Sequence, residues 1–93
     1  MPKWTTPAAR DLAAQLEYIQ RENPGVVAVV AAQIKAATNS LDAFPQLGRD
    51  GLVPGTRELV IPRLLFVCVY RVHDGRVEIL RLLHERMQWP RDS

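Results

Sequence analysis

The fold turns on Leu64–Leu83, LLFVCVYRVHDGRVEILRLL. Two runs rich in β-branched and aromatic residues flank Asp74–Gly75, a dipeptide that favours the positive φ angles of a two-residue hairpin turn. Read that way, His73 faces Arg76, Val72 faces Val77, Arg71 faces Glu78 and Cys68 faces Arg81. Arg71 opposite Glu78 would form a cross-strand ion pair, which supports the register. One sheet face then carries Phe66, Cys68, Tyr70, Val72, Val77, Ile79, Arg81 and Leu83. The other carries Leu65, Val67, Val69, Leu80 and Leu82. Both faces are apolar, so both call for a cover.

Upstream, Thr56–Ile61 (TRELVI) has strand character, and the hairpin's first strand begins at Arg63 or Leu64. Residues 46–55 (QLGRDGLVPG) hold three of the five glycines and read as a loop. Further back the apolar period becomes helical. Thr6–Pro7 signals a helix start, with Thr6 as N-cap. Ala8, Leu12, Leu16 and Ile19 follow on one stripe, and the helix ends near Glu22. Asn23–Pro24 repeats the start signal for a second helix to Ala43, with Val27, Val30, Ile34, Ala37 and Leu41 inward. So short a connection makes an antiparallel helical hairpin. Lys3–Thr5 is a candidate edge strand and His84–Ser93 a polar tail. The expectation is one α+β domain over residues 1–93: an N-terminal edge strand, then a helical hairpin packed on a three- to four-stranded antiparallel sheet.

Ninety-three residues leave no room for a second core. No apolar run approaches membrane-spanning length, and no signal peptide is evident. A lone cysteine, Cys68, excludes an internal disulfide and fits a reducing cytoplasm. The net charge is +2, but residues 49–93 carry eight arginines, no lysine and six acids. Arginine suits flat, bidentate contacts to phosphate or carboxylate, so an anion-binding surface belongs in this half. His73, His84 and Cys68 show no metal-ligand spacing, and Gly48–Gly51 is not a phosphate loop, so neither metal nor cofactor is expected.

The order of elements and several motifs resemble the RelE/ParE toxins of type II toxin–antitoxin systems. The motifs are Trp4, Ala9, Asp11, Leu12, Tyr18 and Ile19 at the start, then FPQLGR (Phe44–Arg49) and GTREL (Gly55–Leu59). VYRV (Val69–Val72) and ILRLLHERMQWP (Ile79–Pro90) complete the match, and LHERM (Leu83–Met87) is especially similar to the ParE-like branch. The resemblance implies a growth inhibitor neutralised by a cognate antitoxin that wraps it with an extended or helical segment, in a toxin–antitoxin hetero-oligomer. RelE-like members cut messenger RNA on the ribosome; ParE-like members inhibit DNA gyrase without chemistry.

Metal-independent RNA cleavage needs a base, an acid and cationic donors for the phosphorane. The candidates are His84 as acid or base, Glu58 as base, and Arg57, Arg63 and Arg81 as phosphate holders. Arg57 and Glu58 point to opposite faces of their strand, and so do Arg81 and His84 if theirs continues regularly. Arg81 is one charge among apolar neighbours and must find solvent, a carboxylate or a ligand. Arg57, Arg63 and Arg81 are also candidates to meet acidic antitoxin side chains. Arg86, Met87 and Trp89 of the tail, or the helical hairpin, are candidates to grip a protein target. A low net charge and a lysine-free second half are unfavourable for competing for ribosomal RNA. A gyrase-binding toxin is therefore favoured over a nuclease, and a degenerate toxin with no effector activity is a third alternative.

Overall fold

A computed structural model describes residues 1–84. The elements are β1 (Lys3–Trp4), α1 (Thr6–Glu22), α2 (Val27–Ala43), β2 (Arg49–Asp50), β3 (Arg57–Ile61), β4 (Phe66–His73) and β5 (Arg76–His84). A 3-10 turn, Pro24–Val26, precedes α2. The architecture is α+β, with the helical hairpin packed on one face of the sheet.

The sheet has five strands in the order β1-β5-β4-β3-β2. It is mixed, because β1 runs parallel to β5 with Trp4 opposite Ile79. β2–β5 form the expected antiparallel sheet, four strands in all, and β1 joins it as the expected edge strand, running parallel to β5 at the far edge of the meander. β2 was hidden in the glycine-rich loop and is only two residues long.

The helix boundaries shift for local reasons. Thr5, not Thr6, caps α1. Its extended backbone still belongs to the sheet edge, where its hydroxyl donates to Ile79 O at 2.8 Å and accepts from Ala8 N at 3.4 Å. Asn23 makes no side-chain cap to the 3-10 turn, and α2 begins at Val27 rather than Pro24. The apolar stripes do pack as their spacing requires. Ala8, Val30, Ile34 and Leu41 are buried, with Leu12, Leu16, Ile19 and Ala37 packed against them. Thr38 joins this core, its hydroxyl satisfied by Ile34 O at 2.9 Å.

The sheet contributes Ile61, Phe66, Cys68, Tyr70, Val77, Ile79 and Leu82 to the same cluster. At the β4–β5 turn the expected register holds: His73 pairs with Arg76, Val72 with Val77 and Arg71 with Glu78. Arg71 Nε donates to Glu78 Oε1 at 2.6 Å. Asp74 (φ 51°) and Gly75 (φ 74°) supply the positive φ pair that the turn needs. The register then changes. Tyr70 pairs with Ile79, but Val69 pairs with Arg81, so Leu80 is an extra residue on β5. Beyond this bulge Cys68 faces Leu82, not Arg81. β4 also starts later than expected, at Phe66, after a four-residue turn, Pro62–Leu65.

Candidate functional site

The bulge decides where Arg81 lies. Opposite residues share a face, so Arg81 sits with Val69 on the face away from the helices, and Leu82 takes the inward position beside Cys68. Arg81 is thus not embedded among Phe66, Cys68 and Tyr70. Its guanidinium reaches α1 instead: Nε donates to Asp11 Oδ2 at 2.6 Å and Nη2 to Asp11 Oδ1 at 3.0 Å. Asp11 Oδ2 also accepts the Leu82 backbone N–H at 3.0 Å. One carboxylate therefore binds a cation and a strand-edge donor together. The hydrogen bonds from Arg81 to Asp11 raise the Arg81 pKa against the opposing effect of burial.

Asp11 lies three residues after Ala8, on the core-facing side of α1. A carboxylate on an otherwise apolar stripe is the signal that could have paired it with the lone strand arginine.

The remaining nuclease candidates disperse. Arg57 Nη1 donates to Gly48 O at 2.8 Å and lies 3.8 Å from Asp50 Oδ1. It pairs with Tyr70, whereas His84 pairs with Phe66, which is also opposite Ile61 at the other end of β3. Four strand steps, roughly 13 Å, separate those levels along the sheet. His84 meets the Phe66 ring edge-to-face, with centroids 6.0 Å apart. Arg63 is exposed in the β3–β4 turn at φ 70°. Arg81 and His84 fall on opposite faces, as alternation from Arg81 requires. Arg86, Met87 and Trp89 lie outside the described residues. Among the described residues no three His, Cys, Asp or Glu side chains gather as a metal site.

Glu58 is buried and engaged. Its Oε1 accepts Arg49 Nη2 at 3.0 Å and Arg49 Nε at 3.2 Å, and its Oε2 accepts Leu52 N at 3.3 Å. Beside it, Tyr70 is fully enclosed; its hydroxyl donates to Pro45 O at 2.7 Å and accepts Gly48 N at 2.9 Å. Burial raises the Tyr70 pKa, against the hydrogen bond from Gly48 and the charge of Arg57. Gly48 is required by contact: a Cβ there would lie 2.7 Å from Tyr70 Cε1. Arg57, Glu58 and Tyr70 together pin residues 44–52 to the sheet. Phe44, Leu47 and Leu52 remain exposed on that fixed segment. Arg49 and Tyr70 were not singled out as site residues in the sequence; the FPQLGR motif was the available signal for the pinned segment.

Comparison with known proteins agrees with this layout. The sequence model of the family described as "ParE toxin of type II toxin-antitoxin system, parDE" matches residues 3–89. The chain is 38% identical over 88 residues to Y4kP of Sinorhizobium fredii, covering 95% of this chain and 91% of that one. It is 35% identical over 81 residues to toxin RelE2 of Caulobacter vibrioides, covering 87% and 90%. Among solved structures, one titled "Chromosomal ParDE TA system from P. aeruginosa" superposes with a TM-score of 0.80 at 30% identity, covering 88% of this chain and 91% of that one.

Proposed function

Since the chain belongs to the ParE family of type II toxin–antitoxin toxins, we propose that it arrests growth by gripping DNA gyrase rather than by cutting RNA. The supporting observation is the fate of the nuclease candidates. Arg81 is clasped by Asp11, Arg57 is tied to Gly48 and Asp50, and His84 stacks against Phe66 on the other sheet face. A phosphorane needs cations and a proton donor around one point, and these side chains are held around different ones. A protein target needs only exposed anchors on a firm frame. The helical hairpin supplies Tyr18, Val26 and Val29 on its outer surface, and Met87 and Trp89 extend the set by sequence. An antitoxin is the second partner, with Arg57, Arg63 and Arg81 as contact candidates.

The resemblance to toxin RelE2 keeps ribosome-dependent message cleavage as the competing activity. One experiment covers both. Purified toxin is added to gyrase supercoiling reactions and to translating ribosomes with labelled message. Blocked supercoiling with intact message is expected. Message cut in the ribosomal site, with supercoiling unaffected, would overturn the reading.

A further inference from the structure

A cavity of about 210 Å³ opens where α1, α2 and β1 meet. Its apolar wall is Trp4 of β1, Leu12 and Leu16 of α1, and Ala31 and Ile34 of α2. On α2 the lining continues through Lys35, Thr38 and Asn39. These positions follow the three- and four-residue steps of one helix face. The face that buries Ile34 and Thr38 therefore also brings Lys35, which is exposed, and Asn39, which is half-buried, to the cavity.

The polar groups here are not all spent. The Thr38 hydroxyl is taken by Ile34 O at 2.9 Å and Lys35 O at 3.2 Å. Among the described residues, however, the Lys35 ammonium has no carboxylate partner, and neither the Asn39 side-chain amide nor the Trp4 indole N–H makes a hydrogen bond. An ammonium and an indole can only donate, and a sheltered indole N–H usually finds an acceptor. An apolar wall with a few uncommitted polar groups is the usual make-up of a small-molecule site. Its donors call for an acceptor-only head, and a single cation balances a single negative charge. At about 30 Å³ for each water-sized group, the cavity holds about seven.

We propose that this cavity binds a small amphiphilic monocarboxylate. Its apolar chain, about six to eight carbons by the volume available, lies against Trp4, Leu12, Leu16 and Ile34. Its carboxylate is held at the rim by Lys35 and Asn39. The site uses none of the side chains assigned above to gyrase or to an antitoxin, so it stands apart from the choice of target.

The test is an NMR titration of the purified chain with octanoate, below micelle-forming concentrations. The Trp4 indole N–H and the methyl groups of Leu12, Leu16 and Ala31 should shift together and saturate. Affinity should fall about fourfold for each methylene removed from octanoate. Octylammonium should bind at least about tenfold more weakly, because its head cannot accept from Lys35. Lys35→Met, which keeps an unbranched stem without the charge, should weaken octanoate about tenfold. Ala31→Leu, which fills the cavity from α2, should abolish saturation, with circular dichroism confirming its fold. Shifts that grow without saturating, octylammonium binding as tightly as octanoate, or a folded Ala31→Leu that binds as before would each overturn the proposal. If Ala31→Leu does not fold, Lys35→Met decides: unchanged octanoate affinity overturns the proposal.

Discussion

Removing the Asp11 carboxylate tests the reading of Arg81 directly. Asp11→Ala deletes three hydrogen bonds: two from Arg81, at 2.6 and 3.0 Å, and one from Leu82 N, at 3.0 Å. The side chains of Arg81 and Asp11 are 23% and 16% exposed, so water screens the pair in part. Breaking a fully buried pair costs about 3–5 kcal/mol, and exposed pairs about 0–1, which places this one at about 2–3 kcal/mol. For a domain of this size that is roughly a 10–20 °C fall in Tm. Asp11→Asn keeps an oxygen for the Leu82 N–H but loses the charge, and should cost about half as much. The assay is urea unfolding of Asp11→Ala, Arg81→Ala and the double variant. The cycle should return a coupling energy of about 1–2 kcal/mol. A coupling below about 0.5 kcal/mol, within the usual additivity error, would show that Arg81 does not depend on Asp11. A phosphate-binding role for Arg81 would then gain over the structural one.

Other expectations follow from the same contacts. Tyr70→Phe removes the hydroxyl that joins Pro45 O and Gly48 N, leaving a buried N–H without that acceptor; urea unfolding should show a loss of about 1–3 kcal/mol, and limited proteolysis should cut residues 44–52 sooner. Cys68 is buried, and its thiol pKa is pushed up to about 12, so a thiol reagent at neutral pH should label it only after denaturation. The hydrogen bond from Arg71 holds the Glu78 carboxyl below its ordinary 4.5. A depressed acid stabilises the fold fully above its unfolded value and loses that contribution as pH falls through the folded one. A carboxyl NMR titration should therefore find Glu78 titrating below 4.5, and Arg71→Ala should return it toward that value.

Much of the fold was legible because local signals and burial agreed. Asp74–Gly75 fixed the turn, and Arg71–Glu78 confirmed the first pairs beyond it. The two apolar helical stripes met the inward sheet face as expected. What escaped was set by contacts remote in sequence. β2 consists of two charged residues, Arg49 and Asp50, with no period to read; its place comes from Glu58, whose carboxylate gathers Arg49 and Leu52. The cap of α1 moved to Thr5 because its hydroxyl also serves Ile79, seventy-four residues away. The candidate site was less legible still. Arg81 was marked as a charge that must meet solvent, a carboxylate or a ligand, and within this chain it meets a carboxylate, Asp11 on α1.

The bulge on β5 has a physical reason that only the assembled edge supplies. The outer side of β5 has two neighbours in succession. β1 pairs with Glu78 and Ile79, and Thr5 closes that pairing with backbone and hydroxyl bonds to Ile79 O. From Leu82 the neighbour is α1, through Asp11. The extra residue, Leu80, falls between these two attachments. A strand with regular alternation would turn Arg81 into the helix-facing core, where Cys68 is fully enclosed, at a cost of several kcal/mol for a buried charge. Inserting one residue reverses every later position: Leu82 enters the core and Arg81 comes to the opposite face, from which its long side chain reaches Asp11. A variant lacking Leu80 would therefore push Arg81 inward and Leu82 outward. It should fail to fold or lose most of its stability, whereas Leu80→Ala, which keeps the count, should cost far less. Equal tolerance of both changes in thermal unfolding would show that the bulge does not set the facing of Arg81.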